Sequence, residues 1–106
     1  MARIIISQFV ATKMDALIDT LYESGYFVVR ENAVKYVGSL RDFINTIPSQ
    51  RKHATANNLH GEWYCEFKAN KHTTWFITFD LAKETYLIKN LINNHTKDYP
   101  TLIKSR

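Results

Sequence analysis

Acid–base and phosphate-binding chemistry could be carried by a small set of side chains in this chain. His95 closes the run Asn93-Asn94-His95, and Tyr99 follows it shortly after. Arg51, Lys52 and His53 stand together, and Lys68 and Lys71 flank a polar stretch further on. Cleaving a phosphodiester without a metal ion needs a base for the attacking hydroxyl, cations beside the phosphate and an acid for the leaving oxygen. His, Arg, Lys and Tyr can supply all three roles, so His95, Arg51, Lys52, His53 and Tyr99 are the candidate catalytic residues. Lys68, Lys71, Asn93 and Asn94 are the candidate RNA-binding residues. For each there is a plainer alternative: a solvated basic loop, an exposed histidine at a strand end, or, for Lys68 beside Glu66, a surface ion pair. His72 reads as a turn residue, and nothing around Glu62 marks it as a general base.

Other chemistries are set aside. Cys65 alternates with Trp63 and Phe67 on what should be a buried strand face, which does not suit a catalytic thiol. His53, His60, Cys65 and His72 lack the close paired spacing of zinc ligands, so no metal site and no cofactor is expected. There is no Gly-rich phosphate loop and no nucleophile elbow.

The elements that must position these residues follow from pattern. Arg3 to Ser7 holds three successive Ile residues and reads as a strand. From about Phe9 to Glu23, Val10, Met14, Leu17, Ile18 and Leu21 recur at helical spacing, and Ser24-Gly25 supplies a stop. A second helix is expected from about Asn32 to Ile47, with Ala33, Val37, Leu40, Ile44 and Ile47 along one stripe and Pro48 ending it. Tyr26 to Arg30 fits either an extended link or an early helical turn, and reads as a connection. Residues 49–58 are polar, basic and aperiodic, which predicts an exposed loop.

Three strands should follow, Glu62–Ala69, Thr74–Asp80 and Thr85–Asn93, joined by short turns around Asn70-Lys71-His72 and Leu81-Ala82-Lys83-Glu84. Two amphipathic helices need an apolar sheet face to cover. The expected fold is therefore α+β, order β-α-α-β-β-β, with both helices on one side of a small, mainly antiparallel sheet and the other side left for function.

The chain has 106 residues, 45% of them hydrophobic, which suits one domain spanning 1–106 and excludes disorder. Fourteen Lys and Arg against ten Asp and Glu give a net charge of +4, favouring a polyanion or an acidic protein partner. A single Cys and only three strong hydrophobes near the start point to a cytoplasmic protein, without a membrane partner.

Three stretches resemble the RelE/ParE superfamily of bacterial toxins, also described as plasmid stabilisation proteins. Residues 31–48 carry Ala33-Val34-Lys35-Tyr36 and end in Ile47-Pro48, similar to the second helix of such toxins. Residues 63–79, from Trp63-Tyr64-Cys65 to Trp75-Phe76-Ile77, resemble their central hairpin. Residues 86–98 resemble the last strand, with its His-containing basic end. The resemblance as a whole extends over nearly the entire chain, from Arg3 to about Asp98. The resemblance implies a RelE-like fold and the toxin component of a type II toxin–antitoxin system, neutralised by a cognate antitoxin protein. RelE-like members are ribosome-dependent mRNA endonucleases, which would make the ribosome and mRNA its partners. ParE-like members act on DNA gyrase without cleaving RNA, and a non-catalytic binding module on the same fold is the third alternative.

Overall fold

In the computed structural model, which describes residues 2–56 and 61–95, the chain is an α+β fold. It begins with β1 (Arg3–Ile6) and two helices, α1 (Gln8–Glu23) and α2 (Arg30–Ile44). A 3₁₀ turn (Ile47–Ser49) leads to β2 (His53–Ala54), β3 (Trp63–Lys68), β4 (Thr74–Ala82) and β5 (Thr85–Asn93). The strands form one sheet of order β1-β5-β4-β3-β2, antiparallel except for β1 beside β5. No described helix is long and apolar enough to cross a membrane.

Each helix forms where its apolar stripe finds the sheet. Ser7 caps α1, its hydroxyl oxygen accepting the Val10 N–H at 3.3 Å, and Gly25 ends the turn after it with φ 83°. Val10 and Met14 from α1 meet Val37, Leu40 and Ile44 from α2 over Cys65, Trp75, Ile77, Phe79, Ile88 and Leu91 of the sheet, and Ala33 of α2 is also fully buried. Arg30 ties the two helices at their hinge through Asp19, 2.8 Å away.

Four expectations change. The helix α2 spans Arg30–Ile44 rather than starting near Asn32, because its N-cap, Val29, has no capping side chain to signal the start. Its expected last residue, Ile47, belongs instead to the 3₁₀ turn, which keeps that side chain fully buried while Pro48 redirects the chain. Within the expected loop, His53 and Ala54 pair with Tyr64 and Trp63, adding a two-residue edge strand too short to show a period.

The sheet face away from the helices is also less open than expected. It carries Tyr64, Phe76 and Ile92 at 8%, 4% and 1% exposure. His53 stacks on Tyr64 at 5.1 Å.

Both buried positions Leu91 and Ile92 are reconciled by a β-bulge. Thr78 faces Asn90 while Phe79 faces Ile88, so Lys89 is the extra residue and the alternation of β5 changes phase there. Before it Tyr86 and Ile88 point to the helices; after it Leu91 does, and Ile92 joins the opposite cluster. Displaced outward, Lys89 approaches Asp80 at 3.8 Å.

Candidate nucleic-acid interface

The β3–β4 turn is set by one side chain. Asn70 Oδ1 accepts the N–H groups of His72 at 2.9 Å and Thr73 at 3.0 Å, the local bonding that makes Asn a turn residue. Backbone bonds from Ala69 and Asn70 to the Thr73 carbonyl close the turn. Lys71 and His72 are thereby presented at its tip, both exposed.

The end of β5 is stapled to this turn. Asn94 Oδ1 accepts the Thr74 N–H at 3.0 Å, and Asn94 Nδ2 donates to the His72 carbonyl at 3.2 Å. Asn93 Oδ1 accepts the His95 N–H at 2.9 Å. The His95 ring lies with Nε2 3.3 Å from the hydroxyl of Thr73, which is itself only 8% exposed. Lys68, opposite Thr74 in the ladder, stands on the same rim. Lys68, Lys71, His72 and His95 thus share one end of the sheet, and among the described residues neither lysine is in an ion pair.

Asn93 and Asn94 therefore organise backbone, and their amides position His95 and His72. The three residues that precede and open β2 lie elsewhere. His53 stands in the row His53–Tyr64–Thr78–Asn90, across three strand spacings from β5 and four residues along it from the Asn94 staple. At about 4.8 Å per strand and about 3.3 Å per residue, His53 and His95 are about 20 Å apart. A scissile phosphate within reach of one is out of reach of the other, so the candidate catalytic residues fall into two groups.

Within the β2 group the three side chains part company. Arg51 is exposed. Lys52 turns inward: its ammonium donates to the carbonyls of Pro48 at 3.1 Å and Gln50 at 3.0 Å, and lies 5.4 Å from the centre of the Tyr86 ring. That arrangement fastens the 3₁₀ turn to the core and leaves little of the cation for a phosphate. His53 is the ring against Tyr64. Tyr99 lies outside the described residues, as does His60.

Sequence reading missed the aromatic side of the sheet end. Tyr26, in the link between the helices, accepts a hydrogen bond from Asn70 Nδ2 at 3.0 Å. Its ring meets Phe27 at 4.8 Å and Tyr36 at 6.0 Å, both edge-to-face. Tyr36 in turn accepts the Trp75 indole N–H at 2.9 Å. Burial pushes the Tyr36 hydroxyl above its usual pKa, with the Trp75 bond working against that rise. The Asn in a polar turn was a local signal for the Asx geometry; the pairing of Tyr26 with a residue 44 positions away had none.

Cys65 is fully buried, and burial pushes its thiol up to about 11, against a smaller opposing pull from the Lys52 charge. A thiol so held is a core side chain and not a nucleophile. Among the described residues no group of three His, Cys, Asp or Glu side chains could hold a metal ion. Comparison with protein-family models, with curated proteins and with solved structures finds no match to this chain.

Proposed function

We propose that this chain is the toxin component of a type II toxin–antitoxin system and cleaves mRNA on the ribosome without a metal ion. The observation that carries the reading is the grouping of Lys68, Lys71, His72 and His95 at one sheet end, with both histidines tied to the same Asn94–Thr73 framework. Two imidazoles and two ammonium groups that make no ion pair among the described residues are the parts that such cleavage requires. One imidazole takes the proton of the 2′-hydroxyl as its oxygen attacks phosphorus. The other gives a proton to the departing 5′-oxygen, leaving a 2′,3′-cyclic phosphate, while the lysines offset the charge that builds on the phosphoryl oxygens. His95 has one ring nitrogen near Thr73, which orients the other toward solvent and substrate.

His53 is too far from this end to act on the same phosphate, and with Arg51, two residues before it, serves in this reading as a contact to a more distant part of the RNA. The net charge of +4 suits both that polyanion and an acidic antitoxin. Exposed apolar side chains at the helix–helix link, Val28 at 90% and Val29 at 51%, are the kind of surface such a partner covers.

Primer extension on a message being translated in a purified bacterial system tests the proposal. New ends that appear only with ribosomes on the message, and that vanish with His95→Ala, support it. Intact message from folded protein removes the nuclease reading and leaves gyrase inhibition, read out by supercoiling, or binding without chemistry.

A further inference from the structure

Tyr26 is held more firmly than its exposure requires. Its hydroxyl is fixed by Asn70, two aromatic neighbours fix its ring edge-to-face, and 50% of the residue still faces solvent. A ring needed only for the core would be covered; a ring needed only for solubility would not be pinned. Asn70, the residue that pins it, also sets the turn, and Lys71 is the next residue along the chain. One amide therefore holds a half-exposed aromatic ring against the turn whose next residue is Lys71, which is exposed and makes no ion pair among the described residues.

We propose that Tyr26 is a stacking platform for an unpaired base of a single-stranded polynucleotide, whose adjoining phosphate lies against Lys71 at the turn tip. An aromatic face beside a cationic track is the recurrent means of holding single strands, because every base has a π-face and every nucleotide a phosphate. A duplex has its bases stacked and cannot offer one to Tyr26. Pre-ordering of the ring by Asn70, Phe27 and Tyr36 lowers the entropy lost on binding. Lys68 and Glu66 stand on the strand face shared with Tyr64, the side of the sheet away from Tyr26, so Lys71 is the cation nearest the proposed platform along the turn. The inference rests on the proposed role of this sheet end as a nucleic-acid surface, and not on cleavage.

The test is fluorescence anisotropy with the whole chain and a short labelled oligoadenylate, in RNA and DNA arms, with the matching duplex as control. Ring and ammonium groups meet features common to RNA and DNA, so binding of either single strand through Tyr26 supports the proposal. Tyr26→Ala should weaken single-strand binding about tenfold while duplex binding stays unchanged. Tyr26→Phe should keep most of the affinity. Lys71→Ala should weaken single strand and duplex alike and lower the slope of log affinity against log salt by about 0.7–0.9. Unchanged single-strand affinity in Tyr26→Ala, or an equal loss for the duplex, overturns the proposal.

Should Tyr26→Ala fail to fold, Tyr26→Trp gives a direct readout: indole emission quenched by oligoadenylate beyond that of wild type, whose Trp63 and Trp75 also emit, supports stacking, and quenching equal to wild type at saturation overturns it. Binding is measured without ribosomes, so the two readings fail separately. Single-strand binding through Tyr26 by a protein that cleaves nothing keeps this proposal and removes the nuclease. Ribosome-dependent cleavage with single-strand affinity untouched by Tyr26→Ala does the reverse.

Discussion

Replacing Asn94 should loosen the candidate site and the fold together, by an amount that follows from two hydrogen bonds. Asn94 Oδ1 holds the Thr74 N–H at 3.0 Å and Nδ2 holds the His72 carbonyl at 3.2 Å. Each bond contributes about 0.5–1.5 kcal/mol net, so Asn94→Ala should cost about 1–3 kcal/mol. The backbone bond from the Asn94 N–H to the Thr74 carbonyl survives the change, which keeps the loss toward the lower end. For a domain of this size each kcal/mol lowers the melting temperature by about 4–8 °C. Asn94→Asp separates the two bonds: it keeps an acceptor for Thr74 and sets a carboxylate against the His72 carbonyl, so it should lose at least as much as the alanine variant near neutral pH. Thermal unfolding gives the stability, and amide exchange at Thr74 gives the local effect, with protection lost in Asn94→Ala and retained in Asn94→Asp. A melting temperature and Thr74 protection equal to wild type in Asn94→Ala would refute the staple.

Gly61 has φ 138°, and a Cβ there would stand 3.1 Å from the Phe79 backbone nitrogen, so Gly61→Ala should destabilise by about 1–3 kcal/mol in urea titration. Lys83 opens the two-residue β4–β5 turn with φ 57°, a conformation glycine adopts freely, and Lys83→Gly should raise stability by about 0.5–1 kcal/mol in the same assay. Lys52→Ala should lower the melting temperature by a few degrees through loss of its two carbonyl bonds, whereas exposed Arg51→Ala should leave it unchanged. Cys65 has an ordinary pKa of 9.0 and is pushed to about 11 in the fold, so the unfolded chain gives up its proton first as pH rises. Its contribution is complete below pH 9 and is lost toward 11, so wild type should lose stability more steeply across that window than Cys65→Ala, and native Cys65 should react slowly with thiol reagents at pH 8.

Much of the fold was legible because it rests on repetition. The stripe Ala33, Val37, Leu40 and Ile44 recurs at helical spacing and is buried as a unit, and the alternation of Trp75, Ile77 and Phe79 marks one face of β4. What escaped sequence reading has no period. The strand pair His53–Ala54 depends on the neighbouring β3 edge, and the bulge at Lys89 depends on how β4 meets β5. Candidate site residues divide in the same way. Lys68, Lys71 and His95 could be placed at one end once the hairpin and the last strand were recognised. Distance along the sheet, which separates His53 from them, is not written in residue types. Nor is the direction of a long side chain: Arg51 and Lys52 are neighbours of like charge, yet one faces solvent and the other is bound to carbonyls.

The most direct test of the sheet end as the working surface is the translated-message primer-extension assay run with three folded proteins: wild type, the double variant Lys68→Ala/Lys71→Ala, and His95→Ala. Ribosome-dependent cleavage by wild type that falls steeply in both variants, with unaltered melting temperatures, is the expected result. Cleavage unchanged in both variants, or absent from folded wild type, would contradict it.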